Sequence, residues 1–241
     1  ELEVFEVAIG GGEPTLHPKF KDLIYSCHYC SIIPNFTTRN LGWLIDQDLV
    51  KTVKEAGSGI AFSIDTPNKM KDIYSKFQAA GLVDEPGPAY YSSERKKLIF
   101  QYVMGSGNSW NLQHILENAY ELGCSVTLLG YKRVGFGDDY EPQDYSNWLS
   151  VIEKLEEEGK CPAIGIDTAL ANEYKDDLEI MSDIAKFIQY EEGAFSMYID
   201  AVTSRLAPSS YCEESKYVSI DQEGKSTIEL SRAISTAFAG F

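Results

Sequence analysis

Four places in the sequence carry residue types and spacings that could do chemistry. The first is Gly10-Gly11-Gly12-Glu13-Pro14-Thr15-Leu16-His17-Pro18. Three consecutive glycines allow positive φ and let a ligand touch the main chain, and the prolines stiffen the exit. It is not a phosphate loop, because neither a Gly-Lys-Ser/Thr ending nor a Gly-x-Gly-x-x-Gly spacing is present. The second is Cys27-His28-Tyr29-Cys30, a Cys-x2-Cys pair of the kind that suits zinc or a cluster but needs two more ligands. Cys124, Cys161, Cys212, His17 and His114 supply no second pair, so packing of two thiols at a helix end is the expected role. The third is Lys132-Arg133, which follow a strand-like run; they could pair with an anionic cofactor or substrate, or stand as ordinary loop cations. The fourth is Asp167, placed where a substrate-side carboxylate or the cap of the next helix would sit.

The elements that must position these residues follow from hydrophobic period. Apolar or β-branched runs at residues 4–9, 31–38, 59–64, 98–104, 125–131 and 163–166 are each bounded by turn residues and read as six strands. Between them lie helices with one apolar face: Leu112, Ile115, Leu116 and Ala119 in one, Trp148, Val151, Ile152 and Leu155 in another. Met181, Ile184, Ala185 and Ile188 share the face of a third. Strands separated by amphipathic helices require right-handed crossovers and a parallel sheet, closed towards a barrel or open and doubly wound; period alone does not choose. Residues 66–96 form a long connection with a helix near 69–80 and a Pro/Gly cluster, and Tyr90-Tyr91 there could wall a substrate or cover apolar surface. Beyond residue 190 the rhythm changes to short strand-like runs at 195–199 and 217–220, then a final helix near 226–238.

Composition bounds what such a molecule does. In 241 residues, 21 Lys+Arg against 37 Asp+Glu leave a net charge of -16, which argues against electrostatic capture by nucleic acid or anionic lipid. No stretch approaches the roughly 18 apolar residues of a membrane span, and the first residues lack the basic-then-apolar signal-peptide pattern, so a cytoplasmic protein is expected. Five scattered cysteines read as reduced thiols. The chain opens without Met on a strand-like alternation, Glu1 to Val7, so a segment upstream is expected.

Gly11-Gly12-Glu13-Pro14 directly after a strand resembles the motif that follows the second barrel strand of radical SAM enzymes. Pro34-Asn35-Phe36-Thr37-Thr38-Arg39-Asn40 resembles that family's third-strand region, Phe62-Ser63-Ile64-Asp65 its fourth-strand Ser-x-Asp, and residues 128–135 its sixth strand and exit. The resemblance covers most of residues 3–170. It implies an α/β fold, a partial (β/α)6 TIM-like barrel over residues 1–170, with a small C-terminal helical and short-strand extension over 171–241.

It further implies S-adenosylmethionine and a four-iron four-sulfur cluster as cofactors, and chemistry by hydrogen abstraction. By resemblance, the main chain at Gly11, Gly12 and Glu13, with Pro14 beside it, meets the methionine amino group. Ser63 and Asp65 face the ribose or carboxylate, Tyr131, Lys132 and Val134 line the adenine side, and Thr38 and Asn40 are further candidates. The family's Cys-x3-Cys-x2-Cys cluster loop is not in the sequence; its ligands, with the first barrel strand, are expected upstream of Glu1. The implied partners are the small-molecule cofactor, a peptide or protein substrate suggested by the extension, and an external electron donor, with no nucleic acid and no membrane. The alternative is a barrel without a cluster that acts as a binding or scaffold protein. An aldolase or isomerase barrel ranks last, because the strand ends show no evident Lys/Glu/His set.

Overall fold

Six strands, β1 (Glu6–Ile9), β2 (Ile33–Thr38), β3 (Ile60–Ile64), β4 (Leu98–Val103), β5 (Ser125–Leu129) and β6 (Ile164–Ile166), lie in sheet order β1-β2-β3-β4-β5-β6 in a computed structural model. The structure describes residues 4–87, 98–133, 139–180, 188–220 and 225–241. Every neighbouring pair of strands is parallel. The connections carry α1 (Phe20–Tyr29), α2 (Gln47–Glu55), α3 (Met70–Ala79), α4 (Ser109–Leu122) and α5 (Trp148–Glu157). A doubly wound sheet reverses its strand order at a switch point, whereas this order is strictly sequential. Successive crossovers of one hand then place all the helices on one face. The sheet curls away from them into a half-barrel, the α/β partial barrel that the resemblance implies.

Burial alternates along each central strand. Pro34, Phe36 and Thr38 of β2, Ile60, Phe62 and Ile64 of β3, Leu98, Phe100 and Tyr102 of β4, and Val126 and Leu128 of β5 are buried, and the residues between them are less so. The buried set meets the helices. Phe36 stands edge-on to Phe20 of α1 at 5.1 Å between ring centroids and to Trp43 at 5.6 Å, while Phe62 meets Phe77 of α3 at 6.0 Å. Burying such a ring contributes about 1.5–3 kcal/mol, so this layer holds the half-barrel together. Wholly covered parallel strands read as continuous apolar runs. The alternation therefore marks an open concave face.

The chain divides into two compact units. The half-barrel unit is Val4–Tyr131 with Glu141–Asp167; the other is Thr168–Phe241 with Lys132–Tyr140. In the second, β7 (Tyr198–Asp200), β8 (Arg205–Ala207) and β9 (Val218–Ser219) form an antiparallel sheet. The short helices α6 (Thr168–Glu173) and α7 (Lys175–Ile180) precede it, and α8 (Thr227–Phe238) follows, opened by a capping box of Ser226 and Glu229. The strand-like runs near 195–199 and 217–220 appear as β7 and β9, whereas β8, α6 and α7 have no counterpart in the sequence pattern. The helix read from Met181, Ile184 and Ala185, and the Tyr90-Tyr91 pair, lie outside the described residues.

Candidate cofactor site at the strand ends

Leaving β1, the chain turns at once through Gly11 (φ 89°) and Gly12 (φ 62°), both in the left-handed region that glycine occupies without steric cost. A Cβ built on Gly10, Gly11 or Gly12 would meet nothing within 4 Å, so main-chain groups here stand open to an approaching ligand. Glu13 then caps a short 3-10 turn, Pro14–Leu16, and Pro14 is buried beneath it.

The Glu13 carboxylate ties this loop to the exit of β2. Its Oε1 accepts the Thr15 N–H at 3.2 Å, the Thr15 hydroxyl at 2.6 Å and the Thr38 hydroxyl at 2.7 Å. Its Oε2 accepts the backbone N–H groups of Arg39 at 2.8 Å and Asn40 at 3.2 Å. The Asn40 side-chain amide donates to the Thr15 hydroxyl at 3.0 Å, and its carbonyl accepts the Gly42 N–H at 2.8 Å. Burial alone would raise the Glu13 pKa, but donation from the Thr15 hydroxyl, the Arg39 N–H, the Thr38 hydroxyl and the Thr15 N–H together outweighs it and holds the carboxyl below its ordinary value. Both oxygens are spent within the protein. Glu13 thus fixes the loop's main chain, and the groups left for a ligand are those of the glycines.

Around this knot the other sequence candidates are placed unevenly. Gly11, Gly12, Glu13, Pro14, Thr38 and Asn40 come together at the C-terminal ends of β1 and β2. Asp65, just past β3, is ion-paired with the Arg39 guanidinium, so Arg39, which is not among the sequence candidates, links the third strand to the Glu13 knot. Its only sequence signal is its position between Thr38 and Asn40. Ser63 lies in β3 on the face opposite buried Phe62 and Ile64. Tyr131 ends the described exit of β5 in the half-barrel unit. Lys132 belongs to the second unit, where its Nζ stands 4.0 Å from the centre of the Tyr211 ring. Val134 lies outside the described residues.

Asp167 accepts the Gly130 N–H at 2.9 Å, which ties the exits of β5 and β6. His17 Nδ1 accepts the Lys19 N–H at 3.1 Å, a local loop bond. Cys27 and Cys30 close α1, and burial, reinforced by the neighbouring Cys30, raises the Cys27 pKa, which disfavours the thiolate a metal needs. Among the described residues no group of three or more His, Cys, Asp or Glu side chains is arranged to hold a metal ion. The described residues therefore do not fit a four-iron four-sulfur cluster, whereas the open glycine turn fits the main-chain contacts expected for S-adenosylmethionine. No helix among the described residues is long and apolar enough to cross a membrane.

The fold and the loop at the strand ends define an α/β partial barrel. No protein-family model matches the sequence, and no curated protein matches it. Among solved structures the chain is similar to Streptococcus suis SuiB, with a TM-score of 0.64 at 14% identity over 93% of this chain and 54% of that one. SuiB bound to S-adenosylmethionine gives 0.63 at 14% over 94% and 54%. SuiB bound to precursor peptide SuiA gives 0.63 at 13% over 93% and 53%. Likeness at this identity shows the fold, and the chain spans about half the length of the SuiB chains it matches.

Proposed function

We propose that the chain is the S-adenosylmethionine-binding barrel of a radical SAM enzyme that acts on a peptide. The observation that carries this reading is the open Gly11-Gly12 turn at the end of β1, held against the β2 exit by the saturated Glu13 carboxylate. Support comes from the fold shared with SuiB, whose solved structures include one bound to S-adenosylmethionine and one bound to a precursor peptide.

In this reading Gly11 and Gly12 present main-chain groups to the amino-acid end of S-adenosylmethionine, while Thr38 and Asn40 hold Glu13 so that the turn keeps its shape. Ser63 and Asp65 face the ribose or carboxylate, with Arg39 fixing Asp65, and Tyr131 serves the adenine side. Bound at this turn, S-adenosylmethionine would supply the hydrogen-abstracting chemistry of the radical SAM class. The cluster's ligands are not among the described residues, and reduction is assigned to an external electron donor. The outer edge of β1 pairs with no strand among the described residues. Residues 1–170 are assigned to the barrel and 171–241 to a substrate-related extension.

Calorimetric titration of the chain with S-adenosylmethionine tests the reading. Saturable one-to-one binding that 5'-methylthioadenosine, lacking the amino-acid end, reproduces only more weakly is expected. No binding of S-adenosylmethionine overturns it.

A further inference from the structure

The concave face of the half-barrel carries side chains in rows set by strand register. Ser63 pairs with Gln101, Gln101 with Thr127, and Thr127 with Gly165, which makes one row across β3, β4, β5 and β6. On one side of it run Ala61, Ile99 and Ser125, paired in register; on the other run Val103 and Leu129. At β4 and β5 the belt of hydrogen-bonding groups is thus flanked by Ile99 and Ser125 on one side and by Val103 and Leu129 on the other. Neighbours in such a row stand about 4.8 Å apart.

The side chains of Ser63, Gln101 and Thr127 are half-buried and make no hydrogen bond with any described residue. Ser63 adjoins Asp65 and the Arg39–Glu13 knot. Gln101 and Thr127 continue the row from Ser63 to β5, whose exit carries Tyr131. Gly165 ends it without a side chain; a Cβ there would meet Thr127 Oγ1 at 3.7 Å, so glycine keeps the space beside Thr127 open.

We propose that Gln101 and Thr127 hold a neutral amide group of the peptide substrate, against the space at Gly165. The row itself holds no charged residue, so a phosphate or carboxylate would find no counter-charge within it. A primary amide and a hydroxyl each both donate and accept, as a peptide group does. The flanking Ile99, Val103 and Leu129 suit the apolar side chains on either side of that group. This inference rests on the proposed function for the occupant being a peptide.

The test is selection of a random dodecapeptide library, displayed on its encoding messenger RNA, against the immobilised chain in S-adenosylmethionine. Enriched peptides are then resynthesised and titrated. Gln101→Leu and Thr127→Val should each weaken them at least tenfold, Thr127→Ser should restore binding, and S-adenosylmethionine affinity should stay within twofold throughout. Thr127→Val keeps the shape of the side chain, so thermal melts that match the parent exclude misfolding as the cause. Peptides that bind the variants as well as the parent, or no enriched peptide at all, overturn the proposal. So does a parallel loss of S-adenosylmethionine affinity, which would move the row into the cofactor site. Failure of the parent chain to bind S-adenosylmethionine instead overturns the proposed function.

Discussion

The Glu13 carboxylate accepts the backbone N–H of Arg39 at 2.8 Å, and the Arg39 side chain reaches on to Asp65. One residue of the β2 exit therefore couples the glycine turn after β1 to the end of β3. The two links differ in strength. Arg39 and Asp65 are 60% and 57% exposed, and an ion pair so open to solvent contributes at most about 1 kcal/mol. The Glu13 link combines several donors on one carboxylate and sets the shape of the loop.

Glu13→Gln should therefore cost both stability and cofactor affinity. A glutamine keeps one acceptor oxygen but turns an NH2 group towards the Arg39 and Asn40 N–H donors, which leaves them unsatisfied. The expected loss is about 1–2 kcal/mol at pH 7, at the low end because the carboxylate keeps contact with water. The pH dependence carries the sign. The folded-state pKa of Glu13 lies below its ordinary value of 4.5, so its contribution is present above that value and disappears as pH falls through the folded pKa. Thermal melts from pH 7 to pH 3 should show the gap between parent and variant closing at the acid end; a gap that widens there would contradict the assignment.

At Gly12 the expected effect is local. No atom lies within 4 Å of a built Cβ, so Gly12→Val meets no clash, but at φ 62° a β-branched residue is strained by about 1–2 kcal/mol and turns the loop towards another conformation. S-adenosylmethionine affinity should fall at least tenfold, about 1.4 kcal/mol. Gly12→Asn, which tolerates the left-handed region, should retain more of it. Unchanged affinity in a folded Val variant would remove the glycine turn from the cofactor site.

Much of this arrangement is legible in the sequence because it depends on local pattern. The alternation Leu98-Ile99-Phe100-Gln101-Tyr102-Val103 displays the two faces of β4 in the order of its residues alone, and the three glycines announce a turn after β1. What stays hidden depends on residues distant in sequence. Saturation of Glu13 by Thr38, Arg39 and Asn40 leaves no mark on the sequence, because no spacing rule brings the β2 exit beside the β1 loop. Half-barrel and open sheet share the same strand-helix rhythm, so only the sequential strand order separates them. The helices α6 and α7 have six residues each, too few to show an apolar stripe, and β8 has three. Lys132 reads as a cofactor residue because it follows β5, and nothing in that position foretells its contact with the Tyr211 ring.

The thiols give an independent check on the half-barrel, away from the proposed cofactor site. Cys161 lies just before β6, and burial, with the nearby negative Glu156 adding to it, pushes its pKa up to about 11. Only the thiolate reacts with iodoacetamide, so at pH 8 roughly one Cys161 in a thousand is reactive at any instant. Cys124 is buried, while Cys30 is exposed at the end of α1. In a timed alkylation read by peptide mass spectrometry, Cys30 should be modified well before Cys161. The Cys161 rate should then climb about tenfold per pH unit from pH 7 to nearly pH 10, because the thiolate fraction does so below the pKa. A Cys161 rate that levels off near pH 9 would mean an ordinary solvated thiol, and with it a looser junction between α5 and β6 than the structure describes.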